Sequence, residues 1–539
     1  MSTAALNALP RRRERHFGDR VVWCFQDRAR NVFAGFSAAV RAHGDRTALV
    51  FGEHRWTYRE LDGEIARLAA GLHALGIAPG DRVALQVRNR AEFVALFYAI
   101  QRLGAVTVPM DVRLQGAEVA HVVADAGARL LLHDAELADR AQTALEQVPA
   151  LAVVPLPEPG QGRLFASADG ALAPPPHEGM AEDDVAMILY TSGTTGKPKG
   201  AAIAHLNVAH SAIHHAGNLG LGPDDQSVVA VPISHVTGLL CGVIAPLWTG
   251  GTLTLLPYFK AKEFLPVAAA ARMTYTIMVP AMYNLCLRVE GFDWSTLSAW
   301  RLGHFGGAPM PGATIEALAA KLPGLTLVNG YGATETCSPA IMLPVGAGPS
   351  NLASVGRPLA CVEILIADPE TGVEMPAGES GEIWLRGPMV IARYWNDPDA
   401  TAKGVVAGWW RSGDIGSVDA EGNVFVLDRL KDLINRGGYK IYSAEVEAVL
   451  ARCPGVIESA IVARADAVLG ERVHAFVCVT EGTTPEALAS FCATQLGDYK
   501  VPESWTLGTE PLPRNPTGKL DKKTLRERAA EIQTGVKPK

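Results

Sequence analysis

The sequence predicts an α/β protein in which short strands alternate with amphipathic helices. Two stretches carry that reading. Tyr58 to Leu75 places Leu61, Ile65, Leu68, Ala69, Leu72 and Leu75 on one helical stripe that stops at Gly76, and Arg82 to Val87 then reads as a strand. Glu92 to Leu103 repeats the helical pattern, Gly104 stops it, and Ala105 to Val108 supplies the next strand. Length adds a third constraint. At 539 residues the chain exceeds what one hydrophobic core serves, so a large N-terminal domain of mixed β-sheets with helices, followed by a small α+β domain, is expected.

Residues 1–30 read as an N-terminal extension. Its cluster Arg11-Arg12-Arg13 is broken by Glu14 and Asp19 and leads into no apolar h-region, which predicts a solvated basic surface rather than a secretory signal. Residues 31–429 form the expected large domain. Within it Leu151 to Pro176, with Pro155, Pro157, Pro159 and Pro174-Pro175-Pro176, predicts a linker. Glu382 to Gly387 and Gly422 to Leu427 read as strands near its end. A charged link, Asp428 to Asp432, opens residues 430–539, where a glycine loop, a helix and the strands Ser459–Ala463 and His474–Thr480 precede a final helix over Lys522–Ile532.

Composition narrows the function classes. Apolar residues make up 48% and charged residues 19%, the balance of a globular protein, and the net charge of −7 offers no basic field for a nucleic-acid backbone. The longest apolar runs, Phe93–Ile100 and Gly238–Trp248, are too short to span a membrane. The eight cysteines are scattered without a C-x-x-C pair or zinc-ligand spacing, which predicts reduced, mostly buried thiols in the cytoplasm.

The most informative segment is Thr191-Ser192-Gly193-Thr194-Thr195-Gly196-Lys197-Pro198-Lys199-Gly200, behind an apolar run that ends at Tyr190. Glycines let backbone N–H groups approach an anion, hydroxyls donate further hydrogen bonds, and lysines bring charge to a polyphosphate. It is not a Walker A loop, because Gly193 and the Gly196-Lys197 pair are separated by two residues where that motif needs four.

Four further segments, Asn329-Gly330-Tyr331-Gly332-Ala333-Thr334-Glu335, Trp410 to Asp414, Asp428 to Glu447 and Pro513 to Lys519, follow in order. With the phosphate loop they resemble the motifs of the adenylate-forming enzymes, the superfamily of acyl-CoA synthetases for fatty and aryl acids, peptide-synthetase adenylation domains and firefly luciferase. The resemblance runs from about Arg46 to Lys523. It implies activation of a small-molecule carboxylic acid by ATP and Mg²⁺ to acyl-AMP, then transfer to CoA. A ligase that passes the acyl group to a carrier protein and a non-catalytic ATP- or acyl-binding relative are the alternatives, and a homodimer is allowed.

The resemblance also implies residue roles. Glu335 is the Mg²⁺ ligand, Thr334 stands near the α-phosphate, and Gly307-Ala308-Pro309 passes along the adenine. Asp414 accepts the ribose hydroxyls and Arg429 contacts the same nucleotide. Lys519 is the catalytic lysine that bridges carboxylate and phosphate oxygens. Gly437 and Gly438 line the pantetheine path, while Lys431 marks the hinge of a mobile C-terminal domain; by its own residue type Ser443 is expected to cap the helix that follows. Some relatives carry lysine in place of Gly437, which leaves the residues that steer CoA open. His235 matches a gate between half-reactions, and the acyl pocket falls on Ile233–Cys241, Gly306, Gly330, Gly332 and Ser338. These positions hold no Lys or Arg to pair a second carboxylate, and His304 is the one nearby polar side chain that would alter this view.

Overall fold

The computed structural model describes residues 6–158, 161–166, 169–170, 172–191, 198–347, 354–514 and 520–534. The chain divides into two compact units. The first is made of residues up to Ile364 with Trp384–Arg411 and Gly422–Val424; the second comprises Leu365–Ile383, Ser412–Glu421 and everything from Phe425. The division runs through the strands Glu363–Ala367, Gly381–Arg386, Trp409–Val418 and Val424–Arg429, each of which contributes residues to both units.

In the first unit the α/β alternation is realised as two sheets. A six-stranded sheet has the order Lys199–Ala204, Val185–Thr191, Val106–Pro109, Arg82–Gln86, Ala128–Asp134, Ala152–Leu156. All neighbours are parallel except the first pair. Helices cover parallel strands, so Val83, Ala84, Leu85, Leu130, Leu131 and Leu132 are fully buried. Ala152–Leu156 corrects the linker expected over Leu151–Pro176. Pro155 misleads the eye in mid-sheet terms, but this is an edge strand, where the missing N–H costs no ladder bond.

The second sheet of this unit has nine strands. Its parallel centre holds Thr252–Leu255, Gln226–Val229, Tyr275–Met278, Leu302–Gly306 and Thr326–Ala333, with Ser338–Met342 returning antiparallel beside the last of them. The helix expected after Thr57 spans Tyr58–Ala74, and Thr57 with Glu60 closes a capping box at its start. Helix His205–Leu219 is buried almost throughout and carries four buried histidines, 205, 210, 214 and 215.

Part of the N-terminal extension is folded. Arg11–His16 and Arg20–Phe25 form an antiparallel hairpin. Arg11, Arg12 and Arg13 are exposed, as expected of a solvated surface, whereas Val22 and Cys24 pack on Leu206 and Phe25 stacks on His210.

The second unit is the expected α+β body. Its sheet joins Tyr439–Ile441, Ile434–Arg436, Gly470–Val479 and Val456–Asp466, with Ser504–Gly508 parallel to Gly470–Val479. Ile434, Ile441, Val446, Leu450, Ile461, Val473 and Leu488 make its core, and Leu525 of the last helix, Lys522–Thr534, packs with Ala460, Val462 and Phe476 on the other face. All eight cysteines are buried and free. Among the described residues no helix is long and apolar enough to cross a membrane.

Candidate active site

The phosphate loop joins two antiparallel neighbours. Thr191 ends one strand and Lys199 begins the next, directly opposite each other. Ser192, Gly193, Thr194, Thr195, Gly196 and Lys197 lie outside the described residues. The returning strand is held from its other side. Trp395 N–H donates to Gly200 O at 2.7 Å, Ala202 N–H donates to Arg393 O at 3.2 Å, and Ala201 bridges to Tyr394.

Glu335 sits on a tight turn, Thr334–Thr336, between the strands Thr326–Ala333 and Ser338–Met342. The turn is steep enough to put Cys337 and Ser338 at φ 51° and 88°, the left-handed region that non-glycine residues seldom occupy. Asn329, Gly330, Tyr331 and Gly332 run up the strand to it, and a side chain on Gly332 would begin 2.3 Å from Ser338 O. The Tyr394 hydroxyl donates to Glu335 Oε1 at 2.9 Å, and the Tyr394 ring lies 5.8 Å from Lys199 Nζ. Lys199, Tyr394 and Glu335 therefore form one connected group. Glu335 and the adjacent Thr334 hydroxyl are hard oxygen donors, the kind Mg²⁺ takes.

Gly307, Ala308 and Pro309 follow the strand Leu302–Gly306, whose C-terminal residue pairs with Gly330. They are exposed, and Gly307 turns the chain at φ 78°. These segments leave the carboxyl ends of adjacent parallel strands, the place where open α/β sheets bind ligands.

Sequence reasoning missed three side chains here. Asp111 follows the strand Val106–Pro109 of the six-stranded sheet, and its Oδ2 lies 2.8 Å from His235 Nε2, in the segment after Gln226–Val229 of the other sheet. Burial alone would raise the Asp111 pKa, but hydrogen bonds from His235 and Arg113 override it and hold the carboxyl well below the usual carboxylate range. Tyr394 is the second and His215 the third.

His215 belongs to a buried relay at the expected acyl pocket. Its Nδ1–H donates to Ser211 O at 2.7 Å, so in the neutral ring Nε2 accepts, and the Cys241 thiol is 3.0 Å away as donor. Ser338 Oγ completes the chain 2.8 Å from Cys241 Sγ. His304 Nδ1 lies 3.4 Å from the Tyr275 hydroxyl. Burial drives the pKa of His215 down to about 4 and that of His304 well below its ordinary value, and pushes the Cys241 thiol up to about 12. The group is polar and uncharged at neutral pH, so His304 leaves the absence of a positive charge unaltered.

The remaining sites lie in the second unit. Arg429 Nε is 3.5 Å from Asp414 Oδ1, which brings together the two residues expected at the ribose. Lys431 lies exposed in the turn Leu430–Asp432, where partial desolvation and then the nearby Arg429 charge lower its pKa. Gly437 and Gly438, at φ 59° and 94°, make the two-residue turn between Ile434–Arg436 and Tyr439–Ile441, a hairpin geometry that demands positive φ at both positions. Ser443 is not the expected cap. It is the first helical residue, and Asp428 accepts from the backbone N–H groups of Ser443 and Ala444 in its place. Lys519 lies outside the described residues.

The family model described as AMP-binding enzyme matches residues 36–395, and that described as AMP-binding enzyme C-terminal domain matches residues 445–519. A feruloyl-CoA synthase of an Amycolatopsis species is 36% identical over 484 residues, covering 89% of this chain and 96% of that protein. A fatty acid–[acyl-carrier-protein] ligase, ScoC, of Streptomyces coeruleorubidus is 34% identical over 90% of this chain and 94% of its own. The crystal structure of ATP-bound MatB from Rhodopseudomonas palustris superposes with a TM-score of 0.86 at 32% identity, over 94% of this chain and 99% of that one.

Proposed function

Because the chain belongs to the AMP-binding enzyme family, we infer that it converts a carboxylic acid, ATP and CoA into acyl-CoA, AMP and pyrophosphate. In the first step a carboxylate oxygen attacks the α-phosphorus; the new P–O bond forms as the bond to pyrophosphate breaks, giving acyl-AMP. In the second the CoA sulfur attacks the acyl carbon, the bond to AMP breaks, and the thiol proton passes to solvent. The observation that carries the reading is the grouping of Lys199, at the exit of the phosphate loop, with Glu335 around Tyr394.

Charge gathers on phosphoryl oxygens in the first transition state, so the protein's contribution is position and positive charge. The loop Thr191–Lys199 is assigned to the triphosphate, Lys519 to the oxygens that react, and Asp414 with Arg429 to the ribose. Mg²⁺ would supply further positive charge to the phosphates, with Glu335 assigned to hold it and Thr334 assigned to the α-phosphate. Gly437 and Gly438 are assigned to the pantetheine path.

His235, held by Asp111, is assigned to the acid. The uncharged relay of His215, Cys241, Ser338, Tyr275 and His304 supports an acid whose tail carries no second charge, since a buried carboxylate would need a cation. Free, buried cysteines support a reducing compartment such as the cytoplasm. A carrier protein as the acyl acceptor is the second reading, favoured by the likeness to ScoC. A screen of pyrophosphate release over fatty, aryl, short branched and dicarboxylic acids tests the first step. Acyl-CoA formed on adding CoA separates the two acceptors, and preference for a dicarboxylic acid would contradict the assignment of the uncharged relay.

A further inference from the structure

The segment that ends in Trp395 is fixed more heavily than a connection between strands requires. Asn207 Nδ2 donates to Pro388 O at 2.7 Å, and Arg20 of the N-terminal hairpin donates to Val390 O at 3.1 Å and Ile391 O at 3.0 Å. Ile391 N–H donates to the backbone oxygen of Glu335 at 2.9 Å, and the next turn of chain zips onto Gly200 and Ala202. Tyr394 touches both halves of the site through its side chain, by the hydroxyl to Glu335 Oε1 and by the ring face to Lys199. In this contact the phenol O–H is the donor and the carboxylate oxygen the acceptor.

A carboxylate on a tight turn can rotate about its terminal torsion, and a metal needs its lone pairs in one direction. Partners that hydrogen-bond to a ligating carboxylate set that direction and change metal affinity without touching the metal. We propose that Tyr394 is a positioning residue that fixes the rotation of the Glu335 carboxylate in register with the exit of the phosphate loop, and so sets the affinity of the site for the metal of metal–ATP. The inference rests on the assignment of Glu335 to Mg²⁺ under the proposed function.

Tyr394→Phe removes the hydroxyl and keeps the ring on Lys199, so it tests the hydroxyl apart from the ring. Binding is followed by electron paramagnetic resonance with Mn²⁺ as the probe, in the presence of ATP, and by calorimetric titration of ATP in chelator. Melting temperature serves as the control for folding. The expected result is an unchanged melting temperature, unchanged binding of metal-free ATP, and Mn²⁺ affinity in the presence of ATP lower by about tenfold or more. The Mg²⁺ concentration that half-saturates pyrophosphate release should rise by the same factor, with the rate at saturating Mg²⁺ largely restored. A wild-type protein that binds Mn²⁺ with ATP and a Tyr394→Phe variant that binds it equally well would overturn the inference alone. Equal losses with and without metal would do the same, since they would mark Tyr394 as a prop for the fold. A wild-type protein that binds no Mn²⁺ with ATP would overturn the inference together with the functional reading beneath it.

Discussion

Asp111 Oδ2 stands 2.8 Å from His235 Nε2, so a carboxylate at the end of one sheet orients an imidazole that follows a strand of the other. If His235 meets the acid, Asp111→Ala should raise the KM for the acid by about tenfold, or ~1.4 kcal/mol, and leave that for ATP within about twofold. Pyrophosphate exchange at varied acid and varied ATP measures both. Equal changes in the two constants would remove His235 from the acid site.

The buried histidines of helix His205–Leu219 predict acid sensitivity. Burial lowers the pKa to about 3 for His210 and about 4 for His205, His214 and His215. In the unfolded chain these rings take up protons near the ordinary value of about 6.5. Between there and about pH 4 the unfolded state binds more protons, so stability is full above the window and falls as pH drops through it. Each ring contributes about 1.4 kcal/mol per pH unit inside the window. Denaturant midpoints should therefore fall steeply from pH 7.5 to pH 5, and equal midpoints at the two values would show these rings to be accessible.

Gly306 and Gly330 have a role in the sheet that precedes any role in a pocket. A Cβ on Gly306 would lie 2.5 Å from Gly330 O, and one on Gly330 would lie 2.5 Å from His304 Nε2. Gly306→Ala should thus destabilise the protein by about 1–3 kcal/mol through overpacking, whatever acid is used. Thermal unfolding checks this, and an unchanged melting temperature with an altered acid profile would restore the reading of Gly306 as pocket wall alone.

Lys519→Ala should abolish most acyl-adenylate formation and spare conversion of supplied acyl-AMP and CoA. Charge develops on the α-phosphate in the first half-reaction alone, so the loss falls there and amounts to about 3 kcal/mol or more, as for other removed charge stabilisers. Pyrophosphate exchange and thioester formation from synthetic acyl-adenylate measure the two separately. A variant equally poor in both would contradict the role.

What was legible in the sequence was whatever depends on neighbours along the chain. The stripe from Leu61 to Leu72 and the stop at Gly76 give the helix Tyr58–Ala74 almost to its ends, because helical periodicity and capping are local. Glu335 and the ends of the phosphate loop were singled out from short motifs for the same reason. Tyr394, Asp111 and His215 were not, since each acquires its meaning from a partner more than 20 residues away that the sheets bring near. Ser443 failed as a cap because Asp428, from outside the helix, takes the backbone donors. The strand Ala152–Leu156 was hidden by Pro155, whose tolerance depends on lying at a sheet edge.

The proposed reaction joins an acid to CoA through acyl-AMP. The direct test is to mix the protein with Mg²⁺, ATP and the preferred acid, then add CoA, following pyrophosphate throughout and the acyl products by mass. Acid-dependent pyrophosphate and acyl-AMP are expected before CoA is added, then acyl-CoA and AMP in equal amounts after it. Release of ADP and phosphate, or no acid-dependent pyrophosphate with any acid class, would contradict it.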